Sequence, residues 1–173
     1  VFGNKTERIG DYSFSSCSSI ENIVFNNALL SIGNYAFHNC TKLARISLPD
    51  NTGTVGNGAF YNCTGLTEAF LGRLGKLGSN MFSNCTSLTD VVITNVDEIG
   101  SSAFSNCLSL ERISLPHTLT KINNGAFREC KNLSEIVLPD SVTYVGSETF
   151  YNCSSLKRAV IGKGISVINS YTF

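Results

Sequence analysis

Charge is scarce in this sequence: Asp, Glu, Lys and Arg make up 15% of 173 residues, against roughly 25% in ordinary soluble proteins. Basic and acidic residues balance to a net charge of zero. That balance supplies no Lys/Arg cluster, so nothing points to nucleic acid or to an anionic membrane surface as partner. Tryptophan is absent, and the two histidines, His38 and His117, fall at non-equivalent places. With no Ser-His-Asp pattern, no phosphate-cradling glycine loop and no metal-ligand spacing, no enzyme activity and no cofactor are expected. No run of 18 or more apolar residues occurs, so no transmembrane helix and no membrane insertion are expected. No two cysteines lie nearer than 22 residues, which excludes the close Cys pairs of structural zinc sites.

What is present is a repeat. Cys17, Cys40, Cys63, Cys85, Cys107, Cys130 and Cys153 recur at intervals of 23, 23, 22, 22, 23 and 23 residues. Each follows a phenylalanine by three, from Phe14 to Phe150, and Phe173 continues the series. A period of this length marks a solenoid or an array. The consensus is Ile-Gly-x-x-Ala-Phe-x-x-Cys-x-x-Leu-x-x-Ile-x-Leu-Pro with a variable tail. Phe, Cys and Leu at i, i+3 and i+6 fit a short helical or irregular segment. Ile-x-Leu alternates as a strand does, and Pro49, Pro116 and Pro139 end it by removing an amide donor. The third and fourth strands lack that proline and belong to the 22-residue repeats, so a change of curvature is expected there. Glycine after the next Ile or Val marks a tight bend or a close backbone approach. Asn123 and Asn169 replace it twice, consistent with the tolerance of Asn for positive φ. One such unit cannot bury its own apolar edge, but a stack of them can.

The segments Leu43-Ala44-Arg45-Ile46-Ser47-Leu48-Pro49 and Leu110-Glu111-Arg112-Ile113-Ser114-Leu115-Pro116, each preceded by Ala-Phe-x-x-Cys, resemble the leucine-rich repeat of the bacterial-surface-antigen-A (BspA) type. The resemblance runs through the whole chain. It implies an α/β repeat solenoid: a right-handed superhelix of about seven repeats of 22–23 residues, with a parallel β-sheet on the concave face. It also implies a surface or secreted location and adhesion to host matrix or cell-surface proteins, with no shared catalytic residues. Residues 1–173 are expected to form one solenoid domain. Val1-Phe2-Gly3 matches Val24-Phe25-Asn26 in mid-repeat, which reads as a stretch of a longer array.

The cysteines read as a buried column of free thiols packing as small hydrophobes; disulfides between stacked neighbours are the alternative, against which stand parallel side chains and an odd count. The phenylalanines read as a hydrophobic spine. Six Asn-x-Ser/Thr sequons occur, at Asn4, Asn39, Asn62, Asn84, Asn132 and Asn152. Four precede the repeat cysteine, where Asn suits a turn.

Two strand columns are the candidate binding surface. One reads Asn22, Arg45, Glu68, Asp90, Arg112, Glu135, Arg158; the other reads Val24, Ser47, Phe70, Val92, Ser114, Val137, Val160. The first is expected to form cross-strand ion pairs such as Asp90 with Arg112 and Glu135 with Arg158. The second places apolar residues away from the core. An apolar stripe rimmed by charge fits a protein partner, so the predicted protein-binding residues are Arg45, Glu68, Phe70, Asp90, Val92, Arg112, Glu135, Val137, Arg158 and Val160. A structural spacer and a glycan-binding surface using tyrosines such as Tyr61 and Tyr151 are the alternatives. Nothing in the sequence specifies an oligomeric state.

Overall fold

The computed structural model describes residues 3–173; Val1 and Phe2, which carried the mid-repeat match at the start of the chain, lie outside them. Each repeat makes one turn of a coil, and equivalent residues of successive turns stack. The strands are β1 Arg8–Ile9, β2 Ser31–Ile32, β3 Arg45–Ser47, β4 Thr54–Val55, β5 Glu68–Arg73, β6 Lys76–Leu77, β7 Asp90–Asn95, β8 Glu98–Ile99, β9 Lys121–Ile122, β10 Glu135–Val137, β11 Tyr144–Val145 and β12 Arg158–Val160. All their pairings are parallel, as stacking of like on like requires.

Two columns of strands result. The Leu-x-x-Ile-x-Leu segments form a main sheet in two pieces, β3-β5-β7 and β10-β12. The Ile-Gly segments form a second sheet, also in two pieces, β1-β2-β4 and β6-β8-β9-β11. This second column was not expected. Its strands are two residues long, and in each the second residue, such as Ile32, Ile99 or Ile122, is buried.

Proline follows two of the short strands in the main sheet. β3 and β10 stop two residues short of Pro49 and Pro139. β5 and β7, whose repeats lack the proline, run for six residues each. With no missing N–H, the ladder continues further along the strand.

The helical half of the α/β expectation is corrected: among the described residues there is no helix. The i, i+3, i+6 spacing arises from consecutive three-residue turns. The Cys40 amide donates to the Phe37 carbonyl at 3.2 Å, and the Leu43 amide to the Cys40 carbonyl at 3.1 Å. Residues two before and two after Phe37 have left-handed backbones: Tyr35 at φ 52° and Asn39 at φ 62°. A left-handed residue cannot continue a right-handed helix. The same two positions recur along the coil, for example Asn80 and Asn84, or Glu148 and Asn152. Asn before the repeat cysteine therefore answers a backbone need, and the sequons at Asn39, Asn62, Asn84 and Asn152 follow from it.

The glycine after the buried Ile serves close approach, not positive φ. A Cβ on Gly56 would lie 2.5 Å from the Asn34 amide nitrogen of the preceding turn. Asn123 and Asn169 stand there for a different reason from the expected one. Their Nδ2 groups donate to the Ile99 and Val145 carbonyls at 2.8 and 2.6 Å.

The turn column is the unbroken part of the molecule. Phe14, Phe37, Phe60, Phe82, Phe104, Phe127, Phe150 and Phe173 stack with ring centroids 5.2–5.6 Å apart. Each phenylalanine amide from Phe14 to Phe150 donates to a carbonyl of the next turn at 2.7–3.0 Å. The rings of Phe37 to Phe150 are fully buried, which contributes on the order of 1.5–3 kcal/mol each.

Candidate functional site

Nine of the ten predicted residues sit on the main sheet, on the face away from the spine, and Arg112 lies between its two pieces. Arg45, Phe70, Asp90, Val92, Arg112, Val137 and Arg158 are exposed, while Glu68, Glu135 and Val160 are half-buried. Period-two alternation places them so: their neighbours Ile46, Ala69, Leu71 and Ile136 point inward and are buried. Phe70 and Val92 are 39% and 48% exposed and directly opposite in the β5–β7 register. Val137 and Val160 face each other in the same way across β10–β12.

The charged column is only partly as expected. Arg45 pairs with Glu68 at 2.7 Å, and Arg158 pairs with Glu135. Asp90 and Arg112 do not pair: Asp90 accepts instead from the Thr89 hydroxyl at 2.7 Å, and Arg112 has no carboxylate partner among the described residues. The cause lies in the backbone. Residues 112–115 belong to no strand and make no backbone hydrogen bond to either neighbouring turn. The two columns therefore do not run side by side along the whole chain, as the sequence implied.

The unpaired segment is held at both ends. The Ser109 amide donates to Thr86 at 3.2 Å, the Ser134 amide to Glu111 at 3.1 Å, and the Thr118 hydroxyl to Val96 at 3.0 Å. Between these anchors Ile113 keeps its side chain inward, 9% exposed. A cleft opens on each side. One, of about 560 Å³, lies towards β7 and is lined by Asp90, Val91, Val92, Glu111 and Arg112. The other, of about 500 Å³, lies towards β10 and is lined by Arg112, Ile113, Leu115, His117, Glu135 and Val137. Both volumes fall in the roughly 300–1,000 Å³ of ligand-sized sites. Sequence reasoning named the strand residues but missed Val91, Leu115, His117 and the cleft itself.

The cysteines take no part in this surface. All seven are free thiols, and six are buried. Each from Cys40 to Cys153 donates its thiol to the carbonyl of the phenylalanine one turn before, at 3.1–3.2 Å. Burial pushes Cys40 and Cys153 up to about 11 and Cys85 to about 12. It raises Cys63, Cys107 and Cys130 as well. Thiols held this firmly protonated are poor nucleophiles and poor metal ligands.

A second feature lies on the turn column. Tyr12 stacks on Tyr35 at 5.3 Å, and Tyr35 meets His38 and Tyr61 edge-on at 5.9 and 6.4 Å. Tyr12 is 58% exposed. Tyr151, the other tyrosine singled out from sequence, carries the Arg128 guanidinium 5.0 Å from its ring centroid.

Comparison with known proteins agrees with this architecture. The chain matches the BspA type leucine rich repeat region in six copies, over residues 1–110 and 70–173. It is similar to the leucine-rich repeat protein of T. pallidum in its crystal structure: 37% identity, TM-score 0.81, covering 86% of this chain and 71% of that one. It is also similar to a leucine-rich repeat protein from Eubacterium ventriosum ATCC 27560, with 25% identity and TM-score 0.76, covering 97% of this chain but 45% of that one. No curated protein matches the sequence. Since the repeat match extends from end to end and the coil stacks parallel strands turn on turn, the chain belongs to the BspA-type leucine-rich repeat family.

Proposed function

We propose that the chain is a non-catalytic protein-interaction module of a cell-surface or secreted adhesin, binding host matrix or cell-surface proteins through the concave face of its main sheet. One observation carries this reading: Phe70, Val92 and Val137 stand exposed on rigid strands among the charges of Arg45, Glu68, Asp90, Arg112, Glu135 and Arg158. Apolar area flanked by charge is the composition of a protein-binding patch. A strand surface also binds without ordering a loop, so little entropy is lost on contact. A right-handed superhelical path of the coil belongs to this reading, as parallel crossovers favour that hand. Among the described residues no helix is long and apolar enough to cross a membrane.

The test is capture of purified extracellular-matrix proteins on the immobilised chain, with Phe70→Ser/Val92→Ser alongside. Retention that falls about tenfold or more in the double variant supports the stripe. Retention unchanged by the substitutions assigns the main sheet a spacer role.

A second reading rests on the aromatic terrace of Tyr12, Tyr35, His38 and Tyr61. Flat rings offered to solvent are platforms for sugar rings, which would make the turn column a glycan surface. Glycan binding lost in Tyr12→Ala and kept in Phe70→Ser would support it.

A further inference from the structure

We propose that Asn57-Gly58 and Asn124-Gly125 are sites of spontaneous covalent modification, deamidation to aspartate and isoaspartate, that stay closed while the next turn is stacked on them and open when it lifts. The inference is independent of what the main sheet binds.

These two dipeptides are the Asn-Gly pairs of the chain, and each half answers a separate demand of the fold. Two residues before Phe60 and Phe127 the backbone is left-handed, at φ 59° for Gly58 and 62° for Gly125. Glycine adopts that conformation at no steric cost. One residue earlier, a side-chain oxygen accepts the amide of the equivalent residue in the following turn. Asp11, Asn34, Asn57 and Asn124 all do so, from Asn34, Asn57, Ser79 and Ser147 at 2.7–3.1 Å. Where Asn and Gly meet both demands in succession, a reactive pair arises as a by-product.

Its chemistry needs no enzyme. The glycine nitrogen attacks the asparagine Cγ and a C–N bond forms. The side-chain nitrogen leaves as ammonia, taking the proton of the glycine nitrogen, and a cyclic imide remains. Water then adds across one C–N bond of the imide. Cleavage of the new bond gives aspartate, and cleavage of the original peptide bond gives isoaspartate. Glycine has no side chain to crowd the attack. Asn57 and Asn124 are exposed, so water reaches them and ammonia can leave.

The stack holds both reacting groups. The Gly125 amide donates to the Ser147 carbonyl at 2.9 Å, and the Ser147 amide donates to Asn124 Oδ1 at 3.1 Å. Gly58 and Asn57 are bound to Ser79 in the same way, both at 2.8 Å. The nucleophilic nitrogen thus has its proton engaged, and the amide it would attack is pinned towards the neighbouring turn. One residue of that turn supplies both bonds, so both are lost together when it moves away. The reaction then runs at the open-chain rate multiplied by the fraction of time open. The two products differ in consequence. Aspartate keeps an acceptor oxygen in place, as Asp11 does towards the Asn34 amide. Isoaspartate adds a methylene to the main chain and shifts the groups that meet the next turn.

The test is incubation of the chain at mildly alkaline pH, native and in concentrated urea, followed by peptide mass spectrometry with isoaspartyl methyltransferase labelling. Deamidation at both sites should be at least about a hundredfold slower in the native chain. Phe150→Ala tests the gate locally. That ring packs the turn of Ser147 against Phe127 at 5.4 Å, whereas the turn of Ser79 carries Phe82, separated from Phe150 by Phe104 and Phe127. The variant should speed reaction at Asn124 by about tenfold or more and leave Asn57 at its native rate. If circular dichroism shows that Phe150→Ala has lost its fold, Phe150→Leu, which keeps apolar bulk and removes the ring stacking, takes its place. Equal rates in native chain and urea, or a folded variant that speeds the two sites alike, overturns gating by the next turn.

Discussion

The β5–β7 junction and the junction that follows it differ sharply. β5 and β7 share a register from Glu68↔Asp90 to Arg73↔Asn95. Across the next step, Arg112–Leu115 pairs with nothing, although its sequence is closer to the consensus. The second sheet shows the reverse. It is broken between β4 and β6, where the main sheet is closed through β3–β5, and intact at β8–β9, where the main sheet is open. Repeat length connects the two gaps. Nine residues separate the start of β3 from that of β4, but eight separate β5 from β6 and β7 from β8. The shorter repeats have lost a residue between their two strands. The second sheet breaks on entry to them, and the main sheet breaks after them. The phenylalanine ladder runs through both transitions unchanged. The turn column thus holds the stack, and the sheets absorb irregularity.

The largest test of that division is alkaline. Six of the seven thiols are buried in the spine and raised above their ordinary value of 9.0 by burial. Below about pH 9 folded and unfolded thiols are both protonated, and stability is unaffected. Above it the unfolded chain releases protons that the folded chain retains, so stability falls by about 1.4 kcal/mol per pH unit for each thiol until its folded value is reached. Urea melts between pH 8 and 10.5 should show this decline. Cys107→Ala should flatten it by about one proton, and a decline that ignores this variant would place the thiol outside the core.

Next in size is the spine itself. Phe104→Ala should destabilise by about 3–5 kcal/mol, because the ring is fully buried between Phe82 and Phe127. It lies just before the open segment, where the main sheet contributes no ladder. A loss under about 1 kcal/mol in denaturant melts would show that the sheets, not the spine, hold adjacent turns together.

How much of this was legible follows from which signals are periodic. Phe and Cys, repeating through the whole chain, gave the solenoid and its buried spine. Ile-x-Leu-Pro gave the main strands and where they stop. The second sheet was missed because a two-residue strand before glycine has no alternation to read. The helical part of the α/β reading is not met because three-residue turns and helices share the i, i+3 spacing; the Asn before five of the seven cysteines carried the left-handed signal that separates them. The cleft was hidden for another reason. Glu111–Leu115 matches the consensus well, so its own side chains carry no sign of the missing pairing.

The inward strand residues sharpen the contrast between the two junctions. Ile136, in paired β10 and 1% exposed, should cost about 2–5 kcal/mol when changed to Ala. Ile113 is the same residue at the equivalent place, 9% exposed beside an open cleft. Its removal leaves a space that water reaches and that unpaired backbone can close, so Ile113→Ala should cost about 1 kcal/mol less or lower still. Equal losses in parallel melts would mean that the segment packs as tightly as its paired counterparts.

The smallest effect separates the junctions most directly, because it reads strand adjacency through two side chains. Glu135 and Arg158 face each other across β10–β12 and are in contact, both partly or largely exposed. A double-mutant cycle to Ala should give a coupling of about 0.2–1 kcal/mol, the range for cross-strand and surface ion pairs. Asp90 and Arg112 hold the same two positions one gap away and have opposite charges, so a closed sheet would couple them equally. With the ladder open, their coupling should be indistinguishable from zero. Salt adds a second handle: the Glu135–Arg158 coupling should shrink at high ionic strength, whereas a pair that is not in contact has nothing to lose. A measurable Asp90–Arg112 coupling that salt abolishes would close the cleft on the β7 side and give Arg112 the cross-strand partner that the open ladder denies it.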